Sequence, residues 1–133
     1  MKKSFLKITF LGVILSTLLI SANLFAQNPT PFLSVTVYQT GHCQISGYGQ
    51  SNASVWVYDS NNKTVIGPGT TDQNGVVNFS IPAGFSYGTY TIESVYPPPP
   101  NNSEIGTTTW NYSGGSDYKT VCLTPNMKHQ NRK

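Results

Sequence analysis

Very few side chains in this chain of 133 residues could carry out catalysis. The chain contains two histidines, His42 and His129, and five acidic residues in all. A nucleophilic triad needs a base held by a third group, and the sequence has neither a Gly-x-Ser-x-Gly motif nor a phosphate-binding loop. Glu93 and Glu104 are the residue types of a glycosidase pair, but nothing in the sequence brings them together. We therefore predict no catalytic residues, no cofactor and no enzymatic activity.

The two cysteines, Cys43 and Cys122, predict a disulfide bond, because an even cysteine count in an exported protein favours pairing. The bond would close a long loop, and the entropy of the unfolded chain then suggests about 4 to 5 kcal/mol of stabilisation. Strand alternation raises one difficulty. Cys43 shares its face with Ile45, which is predicted to point inward, whereas Cys122 is out of phase with the predicted core pair Val121 and Leu123. Either a β-bulge or a link on the solvent side would reconcile the two patterns.

A metal site is the alternative use of these cysteines. Two thiolates are too few for a four-cysteine zinc site, so His42 and His129 would be needed as well. Strand alternation points His42 away from the neighbouring cysteine, and His129 lies in a basic C-terminal tail. The run Asp72-Gln-Asn74-Gly75 spaces oxygen ligands by two residues, but it lacks the rest of an EF-hand loop and has the composition of a tight turn. We expect no metal.

The aromatic residues give the clearest indication of a binding function. If Val55 and Val57 face the core, Trp56 and Tyr58 must lie together on the opposite face of the sheet. A second pair with the same spacing and one further tyrosine complete the predicted ligand-binding set: Trp56, Tyr58, Trp110, Tyr112 and Tyr118. Exposed aromatic pairs on a flat sheet suit sugar rings, which present apolar C–H faces, and they are also enriched in protein-binding patches. The alternative is cross-strand packing that only stabilises the outer face.

The first 26 residues have the parts of a secretory signal peptide. Three lysines lie within the first seven residues, the run from Ile8 to Ile20 is uncharged and largely apolar, and Ala26 precedes a polar residue. We predict cleavage after Ala26, with an earlier cut after Ala22 as an alternative. An uncleaved membrane anchor is the other interpretation, but no Lys or Arg follows the run, and Thr, Ser and Asn interrupt it. The protein is therefore expected to be secreted or periplasmic.

Removal of this segment takes the net charge of the chain to zero, because the segment carries three lysines and no acidic residue. The whole chain has a net charge of +3, but residues 27–125 contain only two lysines against five acidic residues, a net −3. The other positive charges lie in residues 126–133, which we interpret as a solvated, flexible tail. We expect no nucleic-acid partner, no membrane association after cleavage and a monomeric protein.

Residues 27–125 are predicted to form one all-β domain. Alternating β-branched and aromatic residues between turn residues predict strands at 32–38, 42–46, 53–58, 63–66, 76–81, 88–96, 107–112 and 118–124. Gly67-Pro-Gly69 should break the fourth, and the four prolines of 97–100 indicate a stiff extended crossover or loop. The inward-facing residues would be Val35, Val37, Ile45, Val55, Val57, Val77, Phe79, Ile81, Tyr90 and Ile92. Seven to eight short strands and no helical periodicity predict an immunoglobulin-like (Greek-key) antiparallel β-sandwich.

Several motifs between residues 43 and 96 are similar to known modules. They are Ile45-Ser-Gly47, Asn52-Ala-Ser-Val-Trp-Val-Tyr-Asp59, Thr71-Asp-Gln-Asn-Gly75, Phe79-Ser-Ile81 and Gly88-Thr-Tyr-Thr-Ile92. In these motifs the chain resembles bacterial immunoglobulin-like domains and, equally, carboxypeptidase regulatory-like (prealbumin-like) domains. The resemblance implies a non-catalytic spacer, adhesion unit or carbohydrate-binding unit. The chain departs from both families in standing nearly alone and in carrying the polyproline segment and two cysteines.

The sequence thus predicts a non-catalytic binding or adhesion module outside the cytoplasm, with a protein or a glycan as its ligand. A different class of function remains open, in which the protein is a structural or accessory subunit that pairs through an edge strand with a larger assembly.

Overall fold

The computed structural model describes residues 28–130 of the chain. The predicted signal peptide and its cleavage site lie outside the described residues, as does the end of the predicted tail. The compact unit begins at Pro31. In the described part of the chain, no helix is both long enough and apolar enough to cross a membrane.

Eight strands and one short helix make up the described fold. The strands are β1 (Phe32–Tyr38), β2 (Ser54–Tyr58), β3 (Thr64–Thr70), β4 (Val76–Ser80), β5 (Gly88–Tyr96), β6 (Glu104–Tyr112), β7 (Asp117–Cys122) and β8 (Thr124–Pro125), and the helix is α1 (Met127–Gln130). They form a three-stranded sheet in the order β4-β1-β7 and a five-stranded sheet in the order β3-β2-β5-β6-β8. The prediction of an all-β sandwich is confirmed.

The strand order places the first strand in the middle of its sheet. β1 pairs antiparallel with β4 and parallel with β7, and β2 lies between β3 and β5. In a constant-type immunoglobulin domain the first strand instead pairs with the second, and the third pairs with the sixth. The sandwich therefore has a strand order different from that of the constant-type immunoglobulin domain.

The core lies between the inner faces of the two sheets. Fully buried valines alternate along β1 and β2, as period-2 strands require. Of the ten residues predicted to point inward, eight are buried: Val35, Val37, Val55, Val57, Val77, Ile81, Tyr90 and Ile92. Phe79 is partly buried against this core. Ile45 was predicted wrongly, because it is 47% exposed on a loop.

Two local predictions differ from the structure. Residues 42–46 form no strand, since successive turns join His42 to the Gln39 carbonyl and Ile45 to the His42 carbonyl. Gly67-Pro-Gly69 does not end β3, which continues to Thr70 with shifted register. An edge strand tolerates proline because its outer backbone groups need no partner strand. Of the two alternatives predicted for the prolines of 97–100, the loop is confirmed, because β5 and β6 pair antiparallel as a hairpin around them.

Two aspartates fix the two predicted tight turns by the same hydrogen bonds. Asp59 Oδ1 accepts the backbone N–H groups of the residues two and four positions later, each at 2.9 Å. Asp72 Oδ1 does the same at 2.8 and 3.0 Å. Asn62 and Gly75 adopt positive φ angles of 60° and 78° near the ends of these turns, which glycine and asparagine tolerate best. The Asp72 run is therefore a turn whose carboxylate oxygen is used by the backbone.

The predicted disulfide between Cys43 and Cys122 is present, with a Cα–Cα distance of 5.2 Å. Cys122 lies opposite Tyr38 on the outer side of the three-stranded sheet, whereas the neighbouring Val121 and Leu123 are buried. Cys43 is exposed on the loop between β1 and β2. The link is thus on the solvent side, and the conflict in strand parity disappears because Cys43 is not on a strand.

Candidate functional site

Trp56 and Tyr58 lie together on the outer face of the five-stranded sheet. β2 alternates between buried Val55 and Val57 and half-buried Trp56 and Tyr58. The two aromatic side chains are two residues apart on one strand, which places them roughly 6.6 Å apart along it. The prediction that Trp56 and Tyr58 lie together on the face of the sheet opposite the core is therefore confirmed.

Polar side chains from β5 and β6 surround the two aromatic residues. The register places Trp56 opposite Glu93, and Glu93 opposite Thr107. One row further, Tyr58 lies opposite Thr91, which lies opposite Thr109. The three threonines are exposed and Glu93 is half-buried. We call this surface the Trp56 face and define it by Trp56, Tyr58, Thr91, Glu93, Thr107 and Thr109.

Within the Trp56 face, the surroundings of Tyr58 shift the pKa of its hydroxyl. The pKa of the Tyr58 hydroxyl is raised above its usual value of 10.0, first by partial burial and then by the nearby Glu93 carboxylate. Among its neighbours, Glu93 raises this pKa and Thr64 lowers it. At neutral pH the Tyr58 hydroxyl is thus protonated and can donate a hydrogen bond.

Trp110 and Tyr112 do not belong to this surface, so the prediction that they form an exposed pair is wrong. Trp110 is fully buried and Tyr112 is 8% exposed. Both lie on the inner face of β6, where Trp110 packs with Phe85 at a ring-centroid distance of 5.8 Å and with Tyr90 at 5.6 Å. Trp110 donates its Nε1–H to Asp117 at 3.2 Å, so the indole is satisfied inside the sandwich.

Tyr118 is on the opposite side of the molecule from the Trp56 face. It is 71% exposed on the outer face of the three-stranded sheet and packs edge-on against Phe32 at a centroid distance of 5.6 Å. The five predicted binding residues are therefore divided among three places. Trp56 and Tyr58 share the outer face of one sheet, Tyr118 lies on the outer face of the other, and the remaining two line the core.

A cleft of about 620 Å³ lies next to the Trp56 face. Val65, Phe85 and Tyr90 supply its apolar lining, and Asp59 and Lys63 carry the charged groups on its wall. The cleft was missed by sequence reasoning because its two sides come from separate segments, residues 59–65 and 82–90. Only the strand order brings those segments together.

The loop from Gln39 to Gln50 carries a second aromatic feature that sequence reasoning missed. His42 and Tyr48 stack with a centroid distance of 4.1 Å and an interplanar angle of 9°. Tyr48 is 40% exposed. Because residues 42–46 were predicted as a strand, this pairing within one compact loop was not anticipated.

The described residues do not assemble a metal centre. Among residues 28–130, no group of three or more His, Cys, Asp and Glu side chains could hold a metal ion. Cys43 and Cys122 are bonded to each other, so neither is a free thiolate for the mixed site considered above.

Comparison with known proteins gives no family for this chain. No protein-family model matches it, and no curated protein matches it at a significant level. Among solved structures, it is similar to a candidate carbohydrate-binding protein from Pseudomonas aeruginosa, with 18% sequence identity and a TM-score of 0.42. The match covers 77% of this chain and 95% of that chain. At this identity and TM-score, nothing about the ligand of that protein is transferred to the present chain.

Proposed function

We propose that the protein is an exported, non-catalytic binding module that engages a surface ligand, and a glycan in particular, through the Trp56 face. The observation that carries the proposal is the placement of half-buried Trp56 and Tyr58 side by side on an open sheet face. A glycan or a protein ligand was expected from the sequence, and the residues around the two rings favour the glycan.

The chemistry of the Trp56 face suits a sugar. A pyranose ring has an apolar C–H face that packs against an aromatic ring, and hydroxyl groups at its edge that need hydrogen-bond partners. Trp56 and Tyr58 supply the aromatic surface, and Glu93 supplies a carboxylate acceptor directly across from Trp56. The threonine hydroxyls of β5 and β6 both donate and accept. Preformed side chains on a sheet also reduce the entropy lost on binding.

Export is part of the proposal and has independent support. The disulfide between Cys43 and Cys122 is typical of a periplasmic or extracellular protein. The signal-like segment of residues 1–26 agrees with this location. Intact mass of the exported protein, measured with and without reduction, tests both cleavage after Ala26 and the disulfide.

The direct test is a glycan array probed with the purified exported protein and with two single variants. Trp56→Ala removes the larger ring of the Trp56 face. Tyr118→Ala is the matched control, because it removes an exposed aromatic residue from the other sheet. We expect wild type and Tyr118→Ala to bind the same glycans and Trp56→Ala to lose them.

Two results would overturn the proposal. Equal binding by Trp56→Ala and wild type would exclude the Trp56 face as the site. Failure of all three proteins to bind any glycan, together with capture of one protein from culture medium in a Trp56-dependent manner, would replace the glycan with a protein ligand.

One observation favours the structural alternative, in which an edge strand pairs with a larger assembly. Within the described fold, β7 is at the end of the three-stranded sheet and pairs only with β1. Unpaired edges of this kind are templates for strand addition. If this alternative holds, a stoichiometric partner should co-purify with Trp56→Ala as well as with wild type, and Tyr118→Lys on β7 should lose it.

A further inference from the structure

The cleft beside the Trp56 face provides a second place for a ligand. Its volume of about 620 Å³ is within the range of small-molecule sites, which are lined mostly by apolar and aromatic side chains with a few polar groups. Half-buried Phe85 and 8%-exposed Tyr90 form the aromatic part of the lining. Lys63 and Asp59 supply an ammonium donor and a carboxylate acceptor.

Thr64 makes the cleft and the Trp56 face continuous. Its register partner on β2 is Tyr58, so the two side chains are cross-strand neighbours. Thr64 also lines the cleft, as does Asp59, the residue that follows Tyr58. The cleft therefore begins at the strand neighbour of Tyr58.

The aromatic lining of the cleft is held in place by contacts within the fold. The Tyr90 hydroxyl donates to the Ser86 carbonyl at 2.7 Å, which ties the loop after β4 to β5. Phe85 packs against Tyr90 at a centroid distance of 4.8 Å and against Tyr112 at 5.4 Å. On the other side, the Asp59 carboxylate holds the turn that presents Lys63. Such a wall needs little reorganisation to accept a ring.

The charges of this region select against an acidic ligand. Glu93 on the Trp56 face and Asp59 in the cleft are both carboxylates, and residues 27–125 have a net charge of −3. Lys63 is the one cation of the cleft lining. It makes no ion pair within residues 28–130, so its ammonium remains available to hydroxyl oxygens. Repulsion from two carboxylates outweighs attraction by one ammonium for a chain that carries its own negative charges.

We propose that the ligand of this protein is a neutral oligosaccharide of at least two sugar units, with one unit packed on Trp56 and Tyr58 and the next in the cleft between Lys63 and Phe85. This inference rests on the proposed function, because it extends the same site to a longer ligand. On this proposal the Trp56 face is required for any binding, and the cleft determines how the affinity depends on the length of the sugar chain.

The test measures affinity as a function of chain length. The probes are glucose oligomers and N-acetylglucosamine oligomers of one to six units, each measured by isothermal titration with wild type, Ala83→Gln, Ser51→Gln and Trp56→Ala. Ala83 lines the cleft and is exposed, so the longer Gln side chain occupies cleft volume without entering the core. Ser51→Gln places the same side chain on an exposed turn elsewhere.

We expect wild type and Ser51→Gln to bind oligomers on the order of tenfold more tightly than the monosaccharide, a difference of about 1.4 kcal/mol. Ala83→Gln should lose this gain and keep the monosaccharide affinity, whereas Trp56→Ala should lose both. Because Lys63 is exposed, Lys63→Ala should fold normally and weaken only the oligomers. Raising the salt concentration from 50 to 500 mM should leave binding unchanged, since a neutral chain has no charge to screen.

The failures of the two proposals are distinguishable. Trp56-dependent binding that shows no chain-length effect and no effect of Ala83→Gln would overturn the cleft inference and leave the proposed function standing. Tighter binding of uronic-acid oligomers that weakens with salt would overturn the neutral-ligand assignment. If wild type binds none of the oligomers and its thermal unfolding does not shift when they are added, the oligosaccharide inference is overturned, and the glycan array separately decides the proposed function.

Discussion

Replacement of Trp110 should distinguish a structural tryptophan from a binding one. Truncation of a buried Trp to Ala costs about 3 to 5 kcal/mol, and Trp110 is fully buried. Its ring also packs with Phe85, Tyr90 and Tyr112, and aromatic pairs contribute about 0.5 to 1.5 kcal/mol beyond buried area. We therefore expect Trp110→Ala to lower the free energy of unfolding by about 4 to 5 kcal/mol. A domain of this size has about 5 to 15 kcal/mol in all.

Trp56→Ala is the comparison for this measurement. Trp56 is half-buried on an outer face, where a cross-strand pair contributes about 0.2 to 1 kcal/mol. We therefore expect Trp56→Ala to lower the free energy of unfolding by about this amount. Urea unfolding followed by far-UV circular dichroism measures both variants on one scale. Since Trp110→Ala can fall below the folding threshold, Trp110→Phe keeps a ring in the core, and we expect it to lower stability by about 1 to 2 kcal/mol.

Fluorescence gives an independent readout of the same assignment. The chain has only two tryptophans, so Trp56→Phe leaves Trp110 as the sole reporter and Trp110→Phe leaves Trp56. Emission from Trp110 should be blue-shifted and resistant to acrylamide, and emission from Trp56 should be quenched. A larger stability loss for Trp56→Ala than for Trp110→Ala, or equal quenching of both indoles, would refute the placement of these two side chains.

Three further predictions concern stability and titration. The double replacement of Cys43 and Cys122 by Ser should lower the free energy of unfolding by about 4 kcal/mol, from loop-closure entropy over a sequence separation of 79 residues; a loss below about 1 kcal/mol would contradict this account. Asp72→Ala removes an acceptor for two backbone N–H groups, and urea unfolding should show a loss of about 1 kcal/mol. The pKa of Tyr58 is raised, so its stabilising contribution is complete below pH 10.0 and is lost as pH rises through the folded-state pKa. The difference in phenolate absorbance between wild type and Tyr58→Phe should isolate a titration above pH 10.0, and Glu93→Gln should move it to lower pH.

Much of the fold was predictable because strand formation and turn chemistry are local. Alternating valines identified β1 and β2, and Asp and Asn-Gly runs identified the turns that follow β2 and precede β4. Sheet order was not predictable. The parallel pairing of β1 with β7 joins residues from the two ends of the domain, and no local pattern encodes it. The cleft depends on another non-local pairing, that of β2 with β5, so it was missed as well.

The error at residues 42–46 has a conformational cause. His42-Cys-Gln-Ile-Ser46 alternates as a strand does, but it is flanked by Gly41 and Gly47, both at positive φ. Gln44 also adopts a positive φ of 59°, which a strand cannot contain. The loop is held closed at its base by the Gln39 N–H to Tyr48 carbonyl hydrogen bond of 3.1 Å. Alternation over only five residues is therefore weaker evidence for a strand than glycine at both ends of the segment is for a loop.

The opposite fates of the two Trp-x-Tyr pairs follow from the residues that alternate with them. Trp56 and Tyr58 alternate with Val55 and Val57 along β2. The two valines are buried in the core, so the two rings lie on the opposite face of the sheet. Trp110 and Tyr112 alternate with Thr109 and Asn111, so at this end of β6 the rings are the only large apolar groups available to the core. An aromatic i, i+2 pair is thus evidence for a binding surface only where the residues that alternate with it on the same strand are apolar and can fill the core. By that criterion, Trp56 and Tyr58 are the pair of the two that remains a candidate binding site.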